Sequence, residues 1–131
     1  MTFTDDEINF MRTQPLARIA TVGPDGQPDV VPVGFTFDGT YIIIGGANPT
    51  TTRRHRNVLA GNDKIALVID DLVSQQPWTP RFLRIYGTGQ AVDTVQPHLQ
   101  IRPEISWSWN LGGLPLAQAG AIPPRRTVHH R

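Results

Sequence analysis

The feature that most constrains this 131-residue chain is a strand–turn–strand pattern between residues 29 and 45. Over Asp29–Phe37, apolar side chains alternate with small or polar ones, which is the period-two pattern of a strand with one buried face. Asp38-Gly39 has the chemistry of a two-residue hairpin turn, and the β-branched run Thr40–Gly45 predicts the returning strand. Pro32 lacks an amide hydrogen, so the first strand must have an edge, a bulge or a ligand-facing stretch there.

Strands predominate along the rest of the chain as well. The capping box Thr4-Asp5-Asp6-Glu7 predicts a first helix that ends before Pro15, and a second helix is predicted over Arg53–Ala60. The further predicted elements are strands over Leu16–Val22, Lys64–Asp70 and Arg81–Val92, a loop over Asp71–Thr79, and two extended pieces hinged at Pro103 over His98–Trp109. About six strands with two or three short helices indicate a mainly β barrel and not a doubly wound sheet.

The division of the chain follows its composition. Residues 1–110 contain the periodic segments and are predicted to form one domain, since a single core commonly spans about 100–150 residues. From residue 111 onward Gly, Pro and Ala dominate, so residues 111–131 are predicted to form a loosely ordered tail.

Charge and cysteine content exclude several classes of function. The chain has 12 basic and 11 acidic residues, a net charge of +1, which provides no broad field for a nucleic acid. It has no cysteine, and its four histidines lack ligand spacing with carboxylates, so no metal site is expected. The acidic N-terminus and the absence of an apolar run of roughly 20 residues predict a cytoplasmic protein without a membrane segment.

The segment best suited to bind a ligand is the predicted start of the second helix. Thr51 and Thr52 precede three arginines, Arg53, Arg54 and Arg56. Cations are unfavourable at the positive end of a helix unless an anion binds there. Amide hydrogens, hydroxyls and guanidinium groups together suit a phosphate. The alternative is a solvated basic surface with Thr51 or Thr52 as an ordinary N-cap.

The order and spacing of several short motifs resemble those of the pyridoxamine 5'-phosphate oxidase-like superfamily, the FMN-binding split β-barrels. Within it, the chain resembles the small actinobacterial enzymes expected to use the deazaflavin coenzyme F420. The matching segments are Ala17–Val22, Asp25–Pro28, Val31–Phe35, Arg54–Val58, Gly87–Ala91 and Ile101–Trp109. The resemblance implies a split antiparallel barrel that acts as a homodimer, with the site completed across the interface.

The resemblance also implies which residues bind the phosphate of the cofactor. Arg54 stands where the superfamily usually has a lysine that binds this phosphate. Arginine keeps the charge but changes the hydrogen-bond geometry. Thr51, Thr52 and Arg53 would line the same loop.

The ring system of the cofactor is implied to lie along a different segment. The backbone of Pro32, Val33 and Gly34 would run beside it. Asn57 is expected at the site, although its amide more simply ties the helix to a neighbouring strand. Trp78 would border the ring from the partner subunit.

The function implied is an oxidoreductase that uses reduced coenzyme F420 to transfer a hydride to a small unsaturated substrate. An FMN-dependent oxidase or reductase of the same fold is an alternative, because both cofactors carry a ribityl phosphate. A non-catalytic flavin- or haem-binding protein is a second alternative. Arg53 and Arg56 are available for the acidic tail of F420, which favours the first hypothesis. No residue identifies itself as a catalytic acid or base.

Three further signals are expected to be structural. Gly87-Thr88-Gly89 is interpreted as a bend within a strand and not as a dinucleotide fingerprint, because no amphipathic helix follows it. Trp107 and Trp109 share one strand face, which predicts a place in the core or at a dimer interface. Asp70-Asp71 is expected to be a solvated turn.

Overall fold

The computed structural model describes residues 2–130, which form one antiparallel sheet of eight strands and three helices. The helices are α1 (Asp5–Thr13), α2 (Arg53–Leu59) and α3 (Leu116–Ala119), and a 3-10 turn (Pro49–Thr51) precedes α2. The strands are β1 (Leu16–Val22), β2 (Pro28–Gly34), β3 (Thr36–Phe37), β4 (Ile42–Ile44), β5 (Lys64–Gln75), β6 (Trp78–Val92), β7 (His98–Trp109) and β8 (Arg125–Val128). The mainly β fold predicted from the sequence is confirmed, with two short strands, β3 and β8, beyond the expected six. Among the described residues, no helix has the length and apolar character needed to cross a membrane.

The two edge strands of the sheet are neighbours in the chain. The strand order is β2-β1-β5-β6-β7-β4-β3, and β8 pairs with β7. Strands β2 and β3 stand at opposite ends of this order, yet only Phe35 separates them in the chain. The sheet must therefore curl until these edges lie side by side, as in a split barrel. We call the junction between β2 and the β3–β4 pair the seam.

The core fills the inside of the curled sheet. The largest fully buried side chains are aliphatic, and they come from β1, β4, β5, β6 and β7. They include Ile19, Ile42, Ile44, Ile69, Leu83, Ile85, Leu99 and Ile101. Each buried side chain of this size contributes about 1.5–3 kcal/mol. Helix α1 closes one end of the core with Phe10 and Met11. Its capping box is confirmed: Thr4 N donates to Glu7 Oε1 at 2.9 Å, and Glu7 N donates to Thr4 Oγ1 at 3.1 Å.

The predicted strand over Asp29–Phe37 is interrupted at Phe35, and its turn lies one residue further along the chain than expected. The register Phe37↔Ile42 makes Gly39 and Thr40 the central turn residues. The Asp38 carboxylate selects this turn by accepting hydrogen bonds from the amides of Thr40 and Tyr41, while Gly39 takes a φ of 101°. The edge position predicted for Pro32 is confirmed, since β2 ends the strand order.

The prediction of a loop over Asp71–Thr79 is wrong, because β5 and β6 form one long hairpin through these residues. The strands pair from Lys64↔Thr88 to Gln75↔Trp78, with a register shift between Leu72 and Ser74. The polar residues that suggested a turn are paired across strands. Asp70 forms an ion pair with Arg18, and Asp71 binds the guanidinium of Arg81 at 2.6 and 2.9 Å. Asp70-Asp71 is therefore not a solvated turn.

The hinge predicted at Pro103 is also wrong. Strand β7 is continuous, and the register shifts by one residue opposite Tyr86 and Gly87, which leaves Glu104 as the extra residue of a bulge. The bulge keeps both halves of the strand paired with β6 and reverses the inward and outward alternation after Pro103. A register shift of this kind has no local sequence signal beyond the proline itself.

The expectation of a loosely ordered tail is wrong for Arg125–Val128. This segment pairs with β7 from Ile105↔Val128 to Ser108↔Arg125 and buries Thr127. Its pairing partner lies about 20 residues away in the chain, so composition alone could not reveal it. The division of the chain at residue 110 stays a prediction.

The two tryptophans of β7 lie on the outer face of the sheet, so the core interpretation is wrong for them. Ser106 and Ser108 are the buried residues of this stretch. The guanidinium of Arg84 lies 4.2 Å from the ring centroid of Trp107. The alternative, a dimer interface, stays a prediction.

Candidate cofactor site at the seam

An open cavity of about 550 Å³ lies at the seam, within the range of about 300–1,000 Å³ that small-molecule sites occupy. We call it the seam pocket. Its lining comes from β2, β3, β4 and the start of α2, and consists of Pro32, Val33, Gly34, Phe35, Thr36, Ile43, Gly45, Gly46 and Arg54. The structure thus brings together four of the residues predicted to bind a cofactor, Pro32, Val33, Gly34 and Arg54.

The wall of the seam pocket leaves its backbone open to a flat ligand. Strand β2 ends the strand order, so one edge of its backbone has no partner strand in the described part of the chain. A Cβ atom added to Gly34 or Gly45 would meet nothing within 4 Å. The space above these two residues can therefore admit a planar ring against the main chain, and any side chain there would take part of that space.

Arg54 forms the charged end of the seam pocket. Within residues 2–130, it has no carboxylate within 4.0 Å and donates no hydrogen bond. Its side chain is half-buried, and this burial lowers the pKa of the guanidinium, an effect that the charge of Asp29 partly offsets. A desolvated cation with free donors is stabilised by an anion such as a phosphate, which accepts two parallel hydrogen bonds from a guanidinium.

The hydroxyls of the two loop threonines make hydrogen bonds within the turn before α2. Thr52 is the N-cap of α2: its Oγ1 accepts a hydrogen bond from His55 N at 3.3 Å and donates one to Pro49 O at 2.8 Å. The hydroxyl of Thr51 donates to Asn48 O at 2.9 Å. Both hydroxyl hydrogens are used within the turn, and neither residue lines the seam pocket. Their binding role stays a prediction.

Arg53, Arg56 and Asn57 of α2 line a second cavity, of about 510 Å³, which does not include Arg54. We call it the helix groove; Arg53, Arg56, Asp25 and Asp29 line it. Arg53 Nη1 lies 3.9 Å from Asp29 Oδ1. The helix groove therefore contains charges of both signs.

Asn57 ties α2 to the sheet. Its buried amide Nδ2 donates to Thr21 Oγ1 on β1 at 2.9 Å. This is the structural role that the sequence suggested for Asn57, and it holds the helix start at a fixed distance from β1. Contact between Asn57 and a cofactor stays a prediction.

Trp78 lies away from the seam pocket of its own chain. It begins β6 at the tip of the β5–β6 hairpin, and 52% of its surface is exposed. Residues 70–81 extend beyond the last pairs with β1 and β7, so the hairpin projects as a two-stranded arm. An exposed indole on a projecting arm is available to another molecule.

Sequence reasoning missed the part of the seam pocket that β3 and β4 supply. Thr36, Ile43, Gly45 and Gly46 line it, although none was predicted as a site residue. Gly45-Gly46 directly after a β-branched run is a local signal of an open backbone. Only the strand order shows that this segment faces β2 across the seam.

Comparisons with known proteins agree with this architecture. The family model described as pyridoxamine 5'-phosphate oxidase matches residues 4–129. The chain is 39% identical, over 125 residues that cover 86% of this chain and 87% of the relative, to 5a,11a-dehydrotetracycline/5a,11a-dehydrooxytetracycline reductase of Streptomyces rimosus.

Solved structures share the fold at lower identity. An F420 reductase superposes with a TM-score of 0.56 at 21% identity, over 71% of this chain and 90% of that one. A conserved hypothetical protein of Mycobacterium tuberculosis superposes with a TM-score of 0.69 at 16% identity, over 85% and 87%. The resemblance noted in the sequence is thereby confirmed, and the chain belongs to the pyridoxamine 5'-phosphate oxidase family.

Proposed function

We propose that this protein is an oxidoreductase that binds coenzyme F420 in the seam pocket and reduces a small conjugated substrate. The observation that carries the proposal is the combination of an open backbone wall with a half-buried arginine that has no carboxylate partner within the described residues. The 39% identity to a reductase supports the reaction class. Reduced deazaflavin, when bound, supplies the hydride.

Different residues of the seam pocket bind different parts of the cofactor. Arg54 holds the phosphate, and the backbone of Pro32, Val33 and Gly34 supports the ring. Val33, Phe35 and Ile43 supply an apolar wall that excludes water from one side of the ring. Among the residues that the structure describes, no carboxylate or imidazole lines this pocket, and the Thr36 hydroxyl is the one uncharged polar side chain that does. We therefore infer that proton transfer to the substrate uses water or a group of the substrate itself.

The choice of F420 over FMN rests on the helix groove beside Arg54. F420 continues beyond its phosphate into an acidic tail, and Arg53 and Arg56 line the groove into which that tail would extend. Asp25 and Asp29 lie in the same groove and limit its attraction for anions. The preference for F420 is therefore expected to be moderate, and FMN is the competing ligand to test.

We further propose that the protein acts as a homodimer. The seam pocket is open, while the projecting arm carries two exposed apolar side chains, Trp78 and Val73, each 52% exposed. On the outer face of the sheet, Tyr86 is 47% exposed beside Trp107. Pairing of two chains would cover these surfaces and bring Trp78 of one subunit to the pocket of the other.

The substrate class follows from the relative in Streptomyces rimosus, which by its name reduces a dehydrotetracycline. We propose that this chain likewise reduces a carbon–carbon double bond conjugated to a carbonyl group. Such a bond accepts a hydride at one carbon and a proton at the other, so the reaction consumes one reduced coenzyme, which gives up both a hydride and a proton when it is oxidised.

The test is a fluorescence titration of the purified protein with F420 and, separately, with FMN. Arg54→Ala should weaken F420 binding about 10- to 100-fold, the effect of losing a charged hydrogen bond of about 1.5–3 kcal/mol. Arg12→Ala is the control, because it removes the same group from an exposed position on α1 that lines neither cavity; it should leave F420 affinity unchanged. Tighter binding of FMN would select the alternative cofactor. Equal losses in both variants would contradict the seam pocket as the phosphate site.

A further inference from the structure

A second cavity interrupts the free edge of β7. On this edge β4 pairs with Leu99–Ile101 and β8 pairs with Ile105–Ser108. Within residues 2–130, the segment 102–104 between them has no partner strand on this side, although the amide of His129 donates to Glu104 O at 2.8 Å. We call the resulting gap the β7 notch. It shares no lining residue with the seam pocket.

The walls of the β7 notch are largely aromatic. The cavity has a volume of about 350 Å³, large enough for a single-ring ligand, and Phe3, Phe37, Tyr41 and His129 line it. The rings of Phe3 and Phe37 meet edge to face at 5.3 Å, and the Phe3 ring lies 4.4 Å from the His129 ring. Rings fixed in this way by their neighbours form a rigid surface that suits another flat ring.

Arg102 lines the same cavity, and 36% of its side chain is exposed, so the terminal nitrogens of its guanidinium are available to a ligand. Its Nε is fully buried and has no hydrogen-bond partner among the described residues. Its Nη2 lies 4.0 Å from Glu104 Oε1, which is beyond hydrogen-bond distance, and that oxygen already accepts a hydrogen bond from the Thr88 hydroxyl. Among residues 2–130 the terminal nitrogens of Arg102 donate no hydrogen bond, so a carboxylate bound beside them would accept charged hydrogen bonds that no described residue accepts.

The other described ionisable groups around the β7 notch do not give Arg102 the anionic partner that a bound carboxylate would provide. Glu7, beneath the aromatic wall, is 1% exposed. The Asp38 carboxylate accepts hydrogen bonds from two amides of its own turn. The His129 ring is bonded to Ser106 Oγ at 2.8 Å, and burial is the main cause that lowers its pKa, so it is neutral at pH 7. His130 lines the mouth and is exposed.

We propose that the β7 notch is a second ligand site, which binds a small aromatic carboxylate with its carboxyl group on Arg102 and its ring against Phe3, Phe37 and Tyr41. The site is separate from the seam pocket and needs no cofactor. Its occupant is a single-ring acid, since the volume excludes a tricyclic coenzyme with its phosphate and tail.

The test is an NMR titration of the full chain, without cofactor, using benzoate and its uncharged isostere benzamide as probes. Benzoate should cause saturable shifts confined to the amides of residues 39–41, 102, 104 and 129–130. Benzamide should bind at least about fivefold more weakly, because it lacks the charge that the guanidinium favours. Arg102→Gln should weaken benzoate binding about tenfold or more, while Arg12→Gln, an exposed arginine on α1, should leave it unchanged.

Three results would overturn the proposal: no saturable shift with benzoate at millimolar concentration, shifts centred on the seam pocket, or equal affinity for the two probes. Circular dichroism checks that Arg102→Gln is folded. If it is not, Arg102→Lys takes its place, because it keeps the charge and loses the planar fork; unchanged benzoate affinity in that variant would contradict recognition by the guanidinium. Failure of F420 binding would leave this test unaffected.

Discussion

Two half-buried arginines, Arg54 at the seam and Arg81 at the base of the projecting arm, stand in opposite surroundings. Arg81 makes two hydrogen bonds to Asp71, at 2.6 and 2.9 Å, and its guanidinium carbon lies 5.0 Å from the ring centroid of Phe10. The hydrogen bonds to Asp71 raise its pKa. Arg54 has no comparable partner within the described chain, and burial lowers its pKa.

The contrast separates an arginine that stabilises the fold from one that is available to a ligand. The donors of Arg81 are used by Asp71 and by Leu111 O at 3.2 Å, so they connect α1, the arm and the segment after β7. Burial of Arg54 costs solvation that the charge of Asp29 offsets only in part, with no hydrogen bond between the two side chains. Removing Arg81 should therefore reduce stability, whereas removing Arg54 should reduce binding.

The largest expected effect comes from filling the space beside Arg54 while the arginine itself stays. Gly34→Val places a side chain where nothing lies within 4 Å, at a strand position that a β-branched residue tolerates. The free energy of unfolding should change by less than about 0.5 kcal/mol, since no neighbour is displaced. F420 affinity, measured by fluorescence titration, should fall by about 100-fold or more because the ring and the valine compete for one volume.

Gly112→Val serves as the control for that experiment. It adds the same side chain to another glycine with open space, outside the seam pocket, and should leave F420 binding unchanged. Full F420 affinity in Gly34→Val would show that the ring does not lie along β2.

The next largest effect tests the two arginines directly. Arg81→Ala should lower the free energy of unfolding by about 2 kcal/mol, because the charged hydrogen bonds and the contact with Phe10 are lost together. For a chain of this size, that corresponds to a decrease in Tm of roughly 6–10 °C in thermal unfolding. Arg54→Ala should change Tm by less than about 2 °C, since it breaks no ion pair. A large loss of stability in Arg54→Ala would end the distinction between the two sites.

The sequence predicted the fold better than it predicted the site. Alternation, capping and turn residues are local signals, and they identified α1, β1, α2 and the strand before Asp38. The elements that were wrong depend on distant partners: the loop over Asp71–Thr79 is a hairpin because Arg81 lies opposite Asp71. A pair of acidic residues indicates a turn until its cross-strand arginines are known.

The candidate site was predictable on one of its two sides. Arg54 and Pro32–Gly34 could be inferred from an arginine cluster and from a proline in a strand, together with the family resemblance. Gly45 and Gly46 reach the same pocket only because β4 pairs with β7 and stands across the seam from β2. That placement results from the closure of the whole sheet, which no local pattern encodes.

The smallest expected effect concerns the dependence of stability on pH. The hydrogen bonds from Arg81 are the main cause that holds the pKa of Asp71 below its ordinary value, and Gln14 adds a further bond at 2.8 Å. A carboxylate whose pKa is lower in the folded state stabilises the protein above its unfolded pKa of about 4, and this stabilisation is lost as the pH falls through the lower folded value. Chemical denaturation between pH 6 and pH 3 should therefore show a loss of about 1 kcal/mol that Asp71→Asn lacks. Asp93→Asn, at an exposed loop position, should retain the wild-type slope. If Asp71→Asn also retained it, the Asp71 carboxylate would not be the group whose protonation causes the loss.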